Sequence, residues 1–211
     1  MSEIGLFPLP LALVPTERIP LHIFEQRYQE LISECLDTGE PFGLVLATGD
    51  GAVHDVGTKA SVEEVLEVLD GGAMNIVVEG GERFRLLELT SGRAFATCEI
   101  EPVEDDDDPP APQDAARAFD LFRRLAEETG SDVDLPDPEA QQLDFELAAR
   151  VDFGAAAKQE LLAATSPRIR MLRLAELLET ALETTQLQQT LRERAGRNGK
   201  IAPLDPEQSE P

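Results

Sequence analysis

The sequence predicts an α+β protein: an antiparallel β domain with one inserted helix over residues 1–103, then an α-helical bundle over 113–195 that ends in a long helix. Three observations predict it. The texture changes near residue 104, with glycines and β-branched residues before it and Ala, Leu, Glu and Arg after it. Between Phe42 and Val103, short β-rich runs are separated by turn signals such as Asp70-Gly71-Gly72 and Ser91-Gly92. The stretch Ile19–Leu36, IPLHIFEQRYQELISECL, changes from extended to helical and needs an apolar surface to lie on, which the β-rich runs supply by closing around it.

Ile4–Val14 is apolar but interrupted by Pro8 and Pro10, which exclude a regular helix and predict two short strand pieces with a bend. Pro20 lacks a ladder donor and keeps Ile19 out of the helical region, so the next segment enters extended, at a sheet edge or a bulge. From Glu25 onward Tyr28, Leu31, Ile32, Cys35 and Leu36 recur at helical spacing as one buried stripe, and Gly39 stops the helix. Phe42–Ala47 is a buried strand closed by the turn Thr48–Gly51, and Val53–Thr58 reads as another.

Ser61–Leu69 is ambiguous. A helix would gather Val62, Val65, Leu66 and Leu69; a strand aligns Val62, Glu64, Leu66 and Val68. The strand is preferred because Asp70-Gly71-Gly72 follows as a hairpin turn and MNIVVEG returns at once. Gly80-Gly81 then reads as a tight turn into ERFRLLEL with Phe84 inward, and Ala94–Val103 completes a meander. A second reading of Gly80, Gly81, Arg83 and Phe84 is exposed backbone that grips an extended peptide.

Glu104–Pro112, EDDDDPPAP, reads as a linker, because its four consecutive aspartates repel one another and its three prolines prevent regular structure. It lacks the spaced ligands and glycine of a calcium loop. Gln113–Thr129 forms a helix with Ala115, Ala118, Phe119, Phe122, Leu125 and Ala126 on one face, ended by Gly130. A second helix covers Glu139–Val151, and Asp152 caps a third that runs to about Ala164. Ser166-Pro167 is an N-cap followed by proline at the first helical position, opening a fourth helix to Ala195. At 1.5 Å per residue that helix would span roughly 43 Å, so its polar turns from Thr184 project into solvent or meet another chain. Residues 196–211 read as a disordered tail.

A net charge of −24 disfavours nucleic acid and anionic membranes, both of which select clustered Lys and Arg. The two cysteines, Cys35 and Cys98, fit no metal or redox spacing and read as buried free thiols, which suits a reducing cytoplasm. No run approaches a membrane span or a secretory signal, so a soluble cytoplasmic protein is expected.

Three segments then match one pattern in order: LFPLPLALVPTERIPLHIFEQRY, DVGTKASVEEVLEVLDGGAMNIVVEGGERFRLLEL and AKQELLAATSPRIRMLRLAELLE. From Leu6 to Leu182 the chain resembles the N-terminal substrate-binding domain of Lon proteases, especially free-standing bacterial proteins built of that domain alone. The resemblance implies a PUA-like antiparallel β pseudo-barrel with one inserted helix, followed by an α-helical bundle. The chain departs from many members at Val14-Pro15-Thr16, where they carry an aromatic-Pro-Gly run, and its acidic linker is its own.

No GxxxxGK[ST] phosphate loop is present, since Gly196–Lys200 reads GRNGK followed by Ile201, and Lon's ATPase and peptidase parts have no counterpart. No GxSxG elbow accompanies His22 or His54, and His22 reads as a structural or surface imidazole rather than a general base. Glu25 with Arg27, and Glu82 with Arg83, read as rim ion pairs. No cofactor or metal is expected. The resemblance and the missing catalytic parts together imply a non-catalytic module for a polypeptide partner. Its binding rim is expected at Leu13, Val14, Leu21, His22 and Phe24, with Glu25, Gln26 and Arg27 as the polar border. The competing reading is a small-molecule or enzymatic site in the barrel mouth. A third is homo-oligomerisation through the C-terminal helix.

Overall fold

Proline and glycine placement sets where the chain can extend and where it must turn, and the result is a six-stranded sheet bonded into a ring with helices at one side and one end. The structure, a computed structural model, describes residues 2–49, 51–90 and 92–198, with backbone alone at Ser2 and at 193–198. The strands are β1 Ser2–Leu9, β2 Arg18–Ile23, β3 Phe42–Leu46, β4 Val56–Val68, β5 Met74–Thr90 and β6 Thr97–Pro102. The helices are α1 Gln26–Thr38, α2 Pro112–Thr129, α3 Leu143–Ala148, α4 Ala155–Ala163 and α5 Pro167–Asn198.

The sheet order is β2-β5-β4-β3-β1-β6, and β6 returns to pair with β5, which closes the ring. Every pairing is antiparallel except β1–β3, which is parallel because the chain crosses over through β2 and α1 between them. Ser2–Leu9 is one strand with Pro8 inside it, not the two pieces expected, and Pro20 lies in β2, whose only strand partner among the described residues is β5.

α1 seals one end of the barrel. Tyr28, Leu31, Ile32 and Cys35 are buried and Gly39 takes the left-handed conformation that ends the helix. Phe7 stacks on Tyr28 with ring centroids 4.0 Å apart. Leu36, expected on the buried stripe, is 46% exposed, because it lies one step around the helix from Cys35 and turns past the sheet.

Two strand readings are corrected. Gly80-Gly81 is not a turn: β5 runs straight through it for 17 residues. The glycine serves a close approach instead, since Gly80 N donates to Glu17 O at 2.9 Å, Thr16 N donates to Gly80 O at 2.7 Å, and an added Cβ would collide with the Val14 carbonyl oxygen. In β4, bulges at Glu63 and Leu66 each insert one residue against β5. The residues opposite buried Val78, Ile76 and Met74 are therefore Val62, Val65 and Val68, while Glu64 and Glu67 lie opposite Val77 and Asn75 on the other face.

The helical lobe buries Ala118, Leu121, Phe122 and Leu125 of α2 against Leu174, Leu178 and Leu182 of α5. α3 is much shorter than the expected Glu139–Val151, since only Leu143–Ala148 is helical and Asp144 is drawn into the core by Arg170. α4 has Gly154 at its N-cap; Asp152 accepts from Gly154 N at 3.0 Å rather than capping the helix itself. Ser166 Oγ accepts from Ile169 N at 3.1 Å, the cap that starts α5. α5 continues past Ala195 to Asn198, and the rest of the expected tail, 199–211, lies outside the described residues.

Barrel and helical lobe are fastened by buried charge. Arg83 of β5 donates to Leu162 O at 2.9 Å and Ala164 O at 2.8 Å and pairs with Asp105. Arg170 of α5 donates to both Asp105 oxygens, at 2.8 and 2.7 Å, to Ala164 O at 2.9 Å, and to Asp144. Both guanidinium groups lie over the Phe145 ring, at 4.2 Å for Arg170 and 5.3 Å for Arg83. Burial by itself would raise the Asp105 carboxyl, but the hydrogen bonds and charge of Arg170, joined by Arg83, hold it below its ordinary value. Arg83 thus belongs to this node, and Glu82 pairs with Lys59 at 2.8 Å rather than with Arg83.

The acidic segment is irregular, as its prolines require, but Asp105, Asp106 and Asp108 are each held by specific partners. Asp106 accepts from Thr165 Oγ1 at 2.7 Å, and Asp108 accepts from Ser166 Oγ at 2.6 Å and Arg168 Nε at 2.9 Å. A second seam pairs buried Lys158 with Glu17, whose other oxygen accepts from Val14 N at 3.1 Å. Among the described residues, no helix is long and apolar enough to cross a membrane.

Arg170→Ala strands Asp144 in the core without its cation and is expected to lower unfolding free energy by about 3–5 kcal/mol in urea titration. Gly80→Ala, which drives a methyl group into backbone, is expected to cost about 1–3 kcal/mol, and Gly81→Ala clearly less because Lys59 O would sit 3.3 Å from its Cβ.

Candidate functional site

Alternation along β2 decides what the rim presents. Arg18, Pro20 and His22 are exposed, Ile19 and Leu21 are half-buried, and Ile23 is fully inside. Phe24 follows where the strand ends, 66% exposed, and its carbonyl accepts from Gln29 Nε2 at 3.1 Å. The His22 and Phe24 rings stack at 5.8 Å. His22 Nδ1 lies 2.7 Å from Asn75 Oδ1, and Asn75 Nδ2 donates to Glu67 Oε2 at 3.2 Å, so the imidazole is held in a polar row that runs from β2 through β5 to β4. Arg27 forms an ion pair with Glu25 at 2.7 Å and lies 4.5 Å over the Tyr28 ring, and Gln26 is exposed beside it.

Of the expected rim residues, Leu21, His22, Phe24, Glu25, Gln26 and Arg27 come together at the corner between β2 and α1. Leu13 and Val14 do not. They are 1% and 0% exposed, Leu13 in the barrel core and Val14 in the core shared with the helices, so neither offers surface to a ligand. Their burial follows from the backbone crossing at Gly80 and from the Thr58 hydroxyl, which donates to Leu13 O at 2.5 Å.

Beyond this corner, the far half of the β4–β5 hairpin exposes Val65, Leu66, Val68 and Leu69. A groove of about 820 Å³ separates it from α1, walled by Gln26, Gln29, Glu30, Ser33, Glu34, Asp37 and Thr38 on the helix and by Val68, Gly72 and Met74 on the hairpin. The sequence reading missed this groove. Its one sequence signal was the three-residue recurrence of Val62, Val65 and Val68, which breaks strand alternation and imitates helical spacing.

A smaller cavity of about 340 Å³ lies beside the C-terminal turns of α1, between it and β1 and β6, with Ile4, Leu31, Cys35 and Phe95 in its wall. Arg93 crosses its lining, bonded to Glu34 and 4.5 Å over Phe95. The thiols near the barrel are chemically quiet: burial pushes Cys35 and Cys98 up to about 11. No group of three or more His, Cys, Asp or Glu positioned to hold a metal is present among the described residues.

Because these thiols ionise later in the folded chain than in the unfolded one, their contribution to stability is complete below about pH 9 and is lost as pH rises through about 11. Thiol alkylation at neutral pH is expected to be slow in the native protein and rapid in urea, with mass spectrometry counting the two labels.

The family described as the ATP-dependent protease La (LON) substrate-binding domain matches residues 3–180. A crystal structure of a Lon N-terminal domain protein from Xanthomonas campestris aligns with TM-score 0.66 and 27% identity, covering 82% of this chain and 97% of that one. The N-terminal domain of a Mycobacterium avium complex Lon protease aligns with TM-score 0.65 and 16% identity over 84% of this chain and 98% of that one, a likeness of fold.

Proposed function

Because this chain belongs to the Lon substrate-binding domain family, which matches it over residues 3–180, we propose that it is a non-catalytic module that binds polypeptide segments at the corner between β2 and α1. One observation carries the placement: Phe24, a large aromatic, stands 66% exposed at a strand end, flanked by His22 and bordered by the Glu25–Arg27 pair. An exposed aromatic with a polar rim is the usual anatomy of a binding hot spot. Leu21, three residues earlier, is half-buried against the barrel core, and Gln26 adds amide groups at the start of the helix.

The chemistry around this corner supports holding rather than turnover. His22 is engaged with an amide side chain, and both thiols are protonated at neutral pH. Cys35 and Cys98 belong to separate cores and stay unpaired, which suits a reducing cytoplasm.

Phe24→Ser removes the aromatic without opening a cavity. Its affinity for a reduced and alkylated, permanently unfolded protein is expected to fall about tenfold or more, with thermal unfolding of the variant unchanged. Equal binding by wild type and a correctly folded Phe24→Ser would reject the corner as the site.

A further inference from the structure

The groove between α1 and the β4–β5 hairpin combines three features. β4 pairs with β3 only as far as Ala60, and from Ser61 to Val68 its only strand partner among the described residues is β5. The inward row of this free half loses its cover step by step: Val62 is half-buried, Val65 is 39% exposed and Val68 is 68% exposed. Across the groove α1 presents Glu30 and Asp37, and neither forms an ion pair among the described residues; Glu30 is met only by Gln26 Nε2 at 3.5 Å.

We propose that this groove receives a basic, amphipathic segment of a client polypeptide, with its apolar side chains on Val65, Val68 and Met74 and its lysines or arginines against Glu30 and Asp37. The proposal rests on the polypeptide-binding reading and gives it a substrate class. Recognition is by side chains. The bulges at Glu63 and Leu66 spoil the free edge as a template for an added strand, which is how natural sheets protect such edges. Other occupants fit the charge poorly. Residues 199–211 of this chain carry Asp205, Glu207 and Glu210 against Lys200 alone, and a second copy would bring one chain of net charge −24 against another.

The test uses the full chain and two fluorescent peptides with identical leucine spacing, one with lysine and one with glutamate at every polar position, read by anisotropy. The lysine peptide is expected to bind, more weakly as salt rises, and the glutamate peptide not to bind. The double variant Glu30→Lys with Asp37→Lys, and separately Val68→Asp, are expected to weaken the lysine peptide about tenfold or more while melting like wild type. Equal binding of the two peptides, or a lysine peptide indifferent to the double variant, overturns the groove. So does a Val68-dependent dimer in light scattering, which would assign the surface to a second copy. If the groove fails in this way while the reduced and alkylated protein still binds in a Phe24-dependent manner, the corner reading survives alone; if wild type binds neither probe, both readings fall.

Discussion

Three charged side chains withdrawn from water around one phenylalanine ring, Arg83, Arg170 and Asp144, together with Asp105 at their solvent edge, fix how this molecule is assembled. Arg83 belongs to the barrel, Arg170 to α5, Asp144 to α3 and Asp105 to the segment between β6 and α2. The charges sum to zero, and two backbone carbonyls, of Leu162 and Ala164, take further donors. Such a node is a poor source of net stability but a strict geometric specification, because any misalignment leaves a buried charge unpaired. It sets the helical lobe against the Gly80–Arg83 stretch of β5, and the opposite end of the same strand, at Met74 and Asn75, builds the exposed corner and groove.

β5 therefore links the two ends of the barrel. Its first half pairs with β2 and the far half of β4, and its second half pairs with β6 and the near half of β4. β5 stays continuous through irregularities at Gly81-Glu82 and Leu87, and Gly80 lets the backbone of residues 14–17 cross it at hydrogen-bonding distance. The first half of β5 keeps Met74, Ile76 and Val78 buried, whereas the apolar row opposite it on β4 emerges into solvent from Val65 onward.

Much of the architecture was legible in the residues, for reasons that also mark the limits. α1 and α2 were visible because apolar spacing and a terminal glycine agree, at Gly39 and Gly130. The Ser166-Pro167 start of α5 was visible because cap chemistry is local. Gly80-Gly81 was misread because a glycine pair signals a turn and a close crossing equally well, and the crossing partner lies more than sixty residues earlier. In β4 two bulges convert a period of two into a period of three, so the inward valines imitate a helix and the alternation rule assigns the wrong faces. The site divided along the same line: β2 obeys plain alternation, so His22 and Phe24 were legible as surface, whereas burial of Leu13 and Val14 depends on contacts with Thr58, Gly80 and Glu17 that local sequence does not contain.

The pairing of β1 with β6 has a consequence for biosynthesis. β1 lies between β3 and β6, and Ser2 is paired with Ile100, so closure of the barrel waits for a strand made nearly a hundred residues later. During that interval on the ribosome Leu6 and Phe7 lack their final shelter, a high-contact-order arrangement that exposes the nascent chain to chaperones before the native ring can form.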